Sequence, residues 1–270
     1  MHPVLIPGLL VLGAFTGFCA GLLGVGGGML MVPFLTLLFT GMQFPDAAIV
    51  HMAIATSMAT ILFTSLSSVH AHHKRGAVRW PIVLALAPGI LLGGLIGGGK
   101  IFSVLKTGWL SLMFAGFVGV SALQMLRSRR PPASRQLPGP AGMVGAGSVI
   151  GMVSSLVGAG GGFISVPFMT WCNVPIHNAV ATSAALGFPI ALASVVGYVW
   201  GGWNETGLPP GSLGFVYLPA LAVIAIASVL TAPLGARAAH SMDMGVLRRV
   251  FAALLLCLAT YMLWKAWQTF

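Results

Sequence analysis

Acidic side chains are almost missing: the 270 residues contain Asp46, Glu205 and Asp243 and no others. Charged residues of both signs make up 6%, where a soluble domain carries roughly a quarter. A water-facing surface cannot be built from so few charges, which excludes a soluble globular domain. Cysteine is scarce as well. Cys19, Cys172 and Cys257 lie in apolar context with no C-x-x-C spacing, so they read as small buried hydrophobes, not as a disulfide framework. Neither H-E-x-x-H nor G-x-S-x-G occurs, which removes the usual equipment of an intramembrane protease or a serine hydrolase. Residues 94–100 fit the G-x-x-x-x-G-K part of a phosphate loop, but Ile101 stands where Ser or Thr is needed. That segment closes an apolar run and does not join a strand to a helix. The opening Met1-His-Pro-Val-Leu-Ile-Pro has no basic region and no small-residue cleavage pattern, and is expected to form part of the first span.

Apolar residues fill the space left by the charges. They make up 57% of the chain, the mean hydropathy is +0.99, and uncharged runs long enough to cross about 30 Å of hydrocarbon recur. The expected fold is all-α, a polytopic membrane helical bundle without cofactor or metal. The formal charge is +10, yet it does not form the contiguous basic stripe of a nucleic-acid face. Its thirteen Lys and Arg fall in or beside connections between apolar runs, from Lys74, Arg75 and Arg79 to Arg248, Arg249 and Lys265. Loops at a lipid surface are charged in this way, and such loops interact with anionic head groups.

The glycines show how the chain is organised. Residues 17–36 and 151–170 align at a constant offset with ten of twenty positions identical, among them Gly24/Gly158, Gly26–Gly28/Gly160–Gly162, Pro33/Pro167 and Thr36/Thr170. A second block follows each: His51-Met-Ala-Ile-Ala-Thr56-Ser57 and His177-Asn-Ala-Val-Ala-Thr182-Ser183, five of seven identical. The chain therefore reads as an internal duplication, with an eight-residue insertion near Asp46 between the two blocks of its first half. In membrane proteins, matched Gly/Pro interruptions in two halves point to a transport site.

The first repeat is expected over 1–126. Its spans are an over-long run at 8–40 broken at the glycines, then 47–70, 80–99 and 107–126. A basic, Pro-rich cytoplasmic linker follows over 127–140, with four Arg and four Pro. The second repeat, 141–270, holds 141–158, a glycine break, 163–172, then 176–201, 213–236 and 246–267. This amounts to about eight spans in one integral membrane domain. The connection 71–80 carries three basic residues whereas 201–212 carries none and holds Glu205. Opposed orientation of the halves explains that contrast, with 71–80 in the cytoplasm and 201–212 outside.

Glycine runs at a helix break let the backbone turn and leave N–H groups unpaired at membrane depth, which is tolerated where they line a cavity or are buried in protein. A helix starting after Gly28 or Gly162 would point its positive dipole end there and form an anion cradle without charged side chains. Close helix packing through small residues is the structural alternative. Thr56, Ser57, Thr182 and Ser183 can donate to an anion or bond back to their own helix. His51 and His177, five residues earlier, are candidates for proton coupling, because histidine titrates near neutral pH and ionisable groups are costly within a membrane. His70, His72, His73 and His240 neighbour basic loops and are expected to be solvated.

The paired Gly-x-Gly-Gly-Gly with Val-Pro-Phe, followed by Ala-Thr-Ser, resembles the TauE/SafE sulfite-exporter family over roughly 8–268. The resemblance implies a multi-pass secondary transporter of the bacterial inner membrane that moves a small sulfur-containing anion such as sulfite, sulfoacetate or another organosulfonate; the two histidines make H+ the expected coupling ion. It implies a substrate site of Gly24, Gly26, Gly27, Gly28, Pro33, Thr56 and Ser57, with Gly158, Gly160, Gly161, Gly162, Pro167, Thr182 and Ser183. A passive anion channel and a non-transporting membrane scaffold are the competing expectations.

Overall fold

The computed structural model describes residues 5–23, 27–127, 135–238 and 244–269. Gly24, Gly26, His240, Asp243 and half of the 127–140 linker, residues 128–134, lie outside the described residues. The chain is a helical membrane bundle. Its elements are α1 (Leu5–Leu23), α2 (Gly28–Gly41), α3 (Ile49–Lys74), α4 (Trp80–Ile96), α5 (Phe102–Val104) and α6 (Thr107–Arg127), then α7 (Pro140–Val157), α8 (Gly162–Trp171), α9 (Ile176–Gly201), α10 (Leu218–Ala238) and α11 (Met244–Thr269). Among the described residues, seven helices are long and apolar enough to cross a membrane, and two shorter apolar ones cover Ile6–Gly21 and Gly28–Gly41. A wide π-type turn at Gly97–Ile101 joins α4 to α5, with Gly99 outside helical geometry.

The helix expected over 213–236 begins later. Ser212–Leu213 (β1) and Val216–Tyr217 (β2) instead pair as a two-residue antiparallel ribbon. Gly211 and Gly214 carry φ of +89° and +54°, left-handed conformations that glycine adopts freely and that turn the chain before α10 can start.

Large apolar side chains face outward, as lipid requires: Leu84, Val104, Trp200 and Trp267 are all exposed. The interior uses small residues and hydroxyls. Among the described residues, the buried polar side chains are Ser and Thr apart from His51 and Lys265. Many of these hydroxyls donate to a carbonyl three or four residues back, as Thr36 does to Val32 and Ser111 to Thr107, so they carry little unsatisfied polarity. Lys265 Nζ, near the end of α11, meets Asp46 Oδ1 at 3.3 Å.

Helix pairing follows one plan in the two halves. Helix α1 lies along α10 as α7 lies along α4; α2 packs on α3 as α8 packs on α9; α3 crosses α9, and α6 lies along α11. Matched glycines allow the first of these contacts. A Cβ on Gly13 would stand 2.8 Å from Ile224 O and one on Gly17 2.4 Å from Ser228 O. On α7, Gly147 and Gly151 would meet Leu86 O and Ile90 O, each at 2.4 Å. Helices this close touch through backbone, as small-residue stripes in membranes permit.

Candidate functional site

In each half a glycine leads a short helix and its carbonyl accepts that helix's first N–H groups, although the backbone differs, with φ −64° at Gly27 and +76° at Gly161. Gly27 precedes α2, and its carbonyl accepts the N–H groups of Leu30 and Met31 at 3.2 and 3.1 Å. Gly161 precedes α8, and its carbonyl accepts those of Ile164 and Ser165 at 3.1 and 2.8 Å. The N–H groups ahead of these first bonds, on Gly28 and Met29 and on Gly162 and Phe163, lead the two helices with the positive end of the dipole. Pro33 and Pro167 stand six positions into each helix, where a missing N–H frees a carbonyl one turn back.

Glycine is needed at the second break for conformational reasons. Gly158 closes α7 at φ +72° and Gly161 opens α8 at φ +76°, in a region that costs an L-residue roughly 1–2 kcal/mol. Gly160 lies between them, its carbonyl near Gly187 of α9. The two breaks meet. A Cβ on Gly28 would stand 2.5 Å from Gly158 O, and one on Gly158 would stand 3.0 Å from Val32 Cγ2.

Buried hydroxyls lie along the two breaks. Ser57 Oγ donates to Gly28 O at 3.3 Å, and Ser165 Oγ donates to Ser183 Oγ at 3.0 Å. Ser154 is fully buried, its hydroxyl has no hydrogen-bond partner among the described residues, and it lies 3.6 Å from where a Cβ of Gly161 would be. Sequence reasoning passed over Ser154 and Ser165. Their signal was available: each is a hydroxyl one turn from a glycine break, on opposite sides of it.

Thr56 and Thr182, fully buried, are occupied elsewhere. Thr56 Oγ1 accepts the N–H of Tyr217, and Thr182 Oγ1 accepts that of Arg79, at 3.1 and 3.0 Å. Those N–H groups lie immediately ahead of α10 and α4. Each threonine thus satisfies the start of a helix in the other half, a bond of roughly 1 kcal/mol. Burial raises the Tyr217 phenol above its usual range, between the rings of Phe39 and Phe44.

The two histidines have different surroundings. His177 is exposed in the first turn of α9, whereas His51 is buried at 4% exposure. Its Nε2 faces the carbonyls of Phe102 and Leu105 at 3.1 and 2.9 Å, and its ring stacks on Phe215 with centroids 5.0 Å apart. Beside it lies a cavity of about 480 Å³, lined by Asp46, His51, Lys106, Glu205, Phe215 and Thr269 among others. None of its lining residues belongs to the glycine breaks. At the other face, His73 Nδ1 accepts the Trp80 indole N–H at 3.1 Å. Among the described residues no three His, Cys, Asp or Glu side chains converge as a metal site would require.

Residues 9–262 match the family described as sulfite exporter TauE/SafE. The chain belongs to this family. It is similar to a probable membrane transporter protein of Haemophilus influenzae, 35% identical over 95% of this chain and 97% of the relative. A probable membrane transporter protein of Methanocaldococcus jannaschii is 25% identical over 96% of each chain. Another, YdhB of Bacillus subtilis, is 29% identical over 70% of this chain and 77% of its own. No solved structure matches the chain. Multi-pass insertion and membership in a transporter family are thus established, and these relatives carry transporter names, not enzyme names.

Proposed function

We propose that this chain is a secondary transporter of the bacterial inner membrane that moves a small sulfur-containing anion: sulfite, sulfoacetate or another organosulfonate. The observation carrying this reading is that the start of α2 at Gly28 abuts Gly158, where α7 ends at the second break, with buried hydroxyls along both breaks and that of Ser154 without a hydrogen bond among the described residues. The leading N–H groups of α2 and α8 and the hydroxyls of Ser57, Ser154, Ser165 and Ser183 would hold the anion without a cationic side chain. Gly24 and Gly26 are joined to this proposal by the repeated sequence motif alone, and Pro33 and Pro167 shape the helices. Thr56 and Thr182 would act indirectly, by joining the halves. The breaks are closely packed here, so the anion would enter as one half rocks against the other.

Reconstitution in liposomes tests the reading. Saturable sulfite flux that follows an imposed pH gradient is expected. Unsaturable flux indifferent to the gradient would favour a passive channel, and no flux for any small sulfonate from folded protein would favour a scaffold. Alternating access of this kind also needs halves of opposed orientation. Cysteines placed at 74 and 205 should therefore be labelled by an impermeant maleimide from opposite faces of the membrane, and labelling from one face would refute the inversion.

A further inference from the structure

Two histidines occupy matched sequence positions, but only one lies where a proton can be held and used. Carbonyl oxygens only accept hydrogen bonds, so the contacts of Phe102 O and Leu105 O with Nε2 place a hydrogen on that nitrogen. In the neutral ring Nδ1 then carries a lone pair; it is buried and makes no hydrogen bond among the described residues, with the Ala47 backbone, four residues back, as a third backbone group beside the ring. Phe102 and Phe215 wall the ring at 4.9 and 5.0 Å. The adjoining cavity has an exposed rim of Asp46, Lys106 and Glu205, with His51 as its buried part. It gathers two of the three acids in the chain.

We infer that His51 alone is the proton-carrying group of the transporter, loaded at Nδ1 from the cavity of Asp46 and Glu205, and that His177 takes no part. The inference rests on the transport reading above. Loading forms one N–H bond, with the proton delivered by cavity water. The imidazolium then donates from Nε2 to the two carbonyls already in place, and release restores the neutral ring. The charged groups facing it are Asp46 from the α2–α3 connection, Lys106 ahead of α6 and Glu205 from the α9–β1 connection. Lys265 of α11 stands behind, paired with Asp46. The phenols of Tyr198, packed on Phe102, and of Tyr217, two residues beyond Phe215, complete the titratable set. Along α3 the next ionisable residue is His70, about five turns away.

A charge at this place reaches the glycine breaks by two routes. Ser57, which donates to Gly28 O, lies six residues along the same helix, about 9 Å of rise. Phe215, stacked on His51, is followed by Tyr217, whose N–H is held by Thr56 at the entrance to α10. Helix α10 packs along α1, the helix that leads into the first break. The matching bonds exist beyond His177, since Ser183 lies six residues along α9 and Thr182 holds the Arg79 N–H ahead of α4, but the His177 side chain itself lies exposed at the start of α9.

The test uses the full chain in proteoliposomes with sulfite as probe. Two quantities are measured: exchange of sulfite without a gradient, and its accumulation under a pH gradient. His51→Gln is expected to keep exchange within about threefold and lose at least about tenfold of gradient-driven accumulation, while His177→Gln accumulates as wild type does. A wild type that exchanges sulfite alongside a His51→Gln protein that still accumulates it would overturn this inference and leave the transport reading standing. A His177→Gln protein that loses accumulation would do the same. A folded wild type exchanging no sulfonate would overturn the transport reading and this inference with it. A second measurement needs no variant. In 15N-histidine spectra of the wild-type protein, His51 should be the Nε2–H tautomer when neutral and become imidazolium on acidification. An Nδ1–H tautomer, or a ring that never titrates, would overturn the assignment.

Discussion

Sulfite flux through the Gly28→Ala protein is expected to fall at least about tenfold, because one methyl group cannot be placed at the break without moving it. The added Cβ would lie 2.5 Å from Gly158 O and 2.6 Å from Ile61 Cδ1. The isoleucine can yield, being the end of a flexible side chain. The carbonyl belongs to a left-handed glycine fixed by the bond from its own N–H to Ser154 O at 2.9 Å and has less room to move. Overpacking of this kind costs typically 1–3 kcal/mol, enough to shift the start of α2 away from Gly158 and spoil a site made by both breaks, and each 1.4 kcal/mol is about tenfold. Ser57→Ala is the informative companion. It removes the 3.3 Å bond to Gly28 O without adding volume, so it should lower flux less than Gly28→Ala does. Both proteins should remain folded by thermal unfolding in detergent. Wild-type flux through Gly28→Ala would sink the proposal that the abutting breaks form the substrate site.

That a helix ends and another begins at the glycines of each half was legible in the sequence, since the duplicated glycine and proline pattern needs no structure to be seen. Helix boundaries followed where hydropathy and punctuation agreed: α9 covers 176–201 as expected, and the second break ends α7 and starts α8 where the glycines stand. Boundaries failed where a local conformation competed, as at Gly211 and Gly214, whose positive φ delays α10 to Leu218. The roles of Thr56 and Thr182 were not legible, because their partners lie 161 and 103 residues away and helical periodicity carries no information about them. The difference between His51 and His177 was hidden for the same reason. Identical local blocks predict identical roles, but the surroundings of His51 come from Phe102, Leu105 and Phe215, residues outside the repeated blocks.

Gly93→Leu is expected to prevent stable folding, with a loss of more than about 3 kcal/mol, the upper end of what overpacking usually costs. On α4, a Cβ at Gly89 would stand 2.0 Å from Val144 O, and one at Gly93 would stand 2.0 Å from Ser148 O. Both obstacles are backbone atoms of α7, so no side chain can swing aside and the helices themselves must separate. Separation would also undo the facing contacts of Gly147 and Gly151 on Leu86 O and Ile90 O, since all four glycines share one seam. Nothing in lipid compensates, because tails are as apolar as the leucine and helix association depends on close van der Waals contact. Gly116→Leu on α6 separates this argument from the general cost of changing a glycine. Its Cβ would meet nothing within 4 Å, so that protein should unfold within a few degrees of wild type, consistent with an effect of about 0.5 kcal/mol at an open site. If Gly93→Leu proved as stable as Gly116→Leu, the seam would not be the contact that holds α4 to α7. The matched seam of Gly13 and Gly17 on α10 would lose its explanation with it.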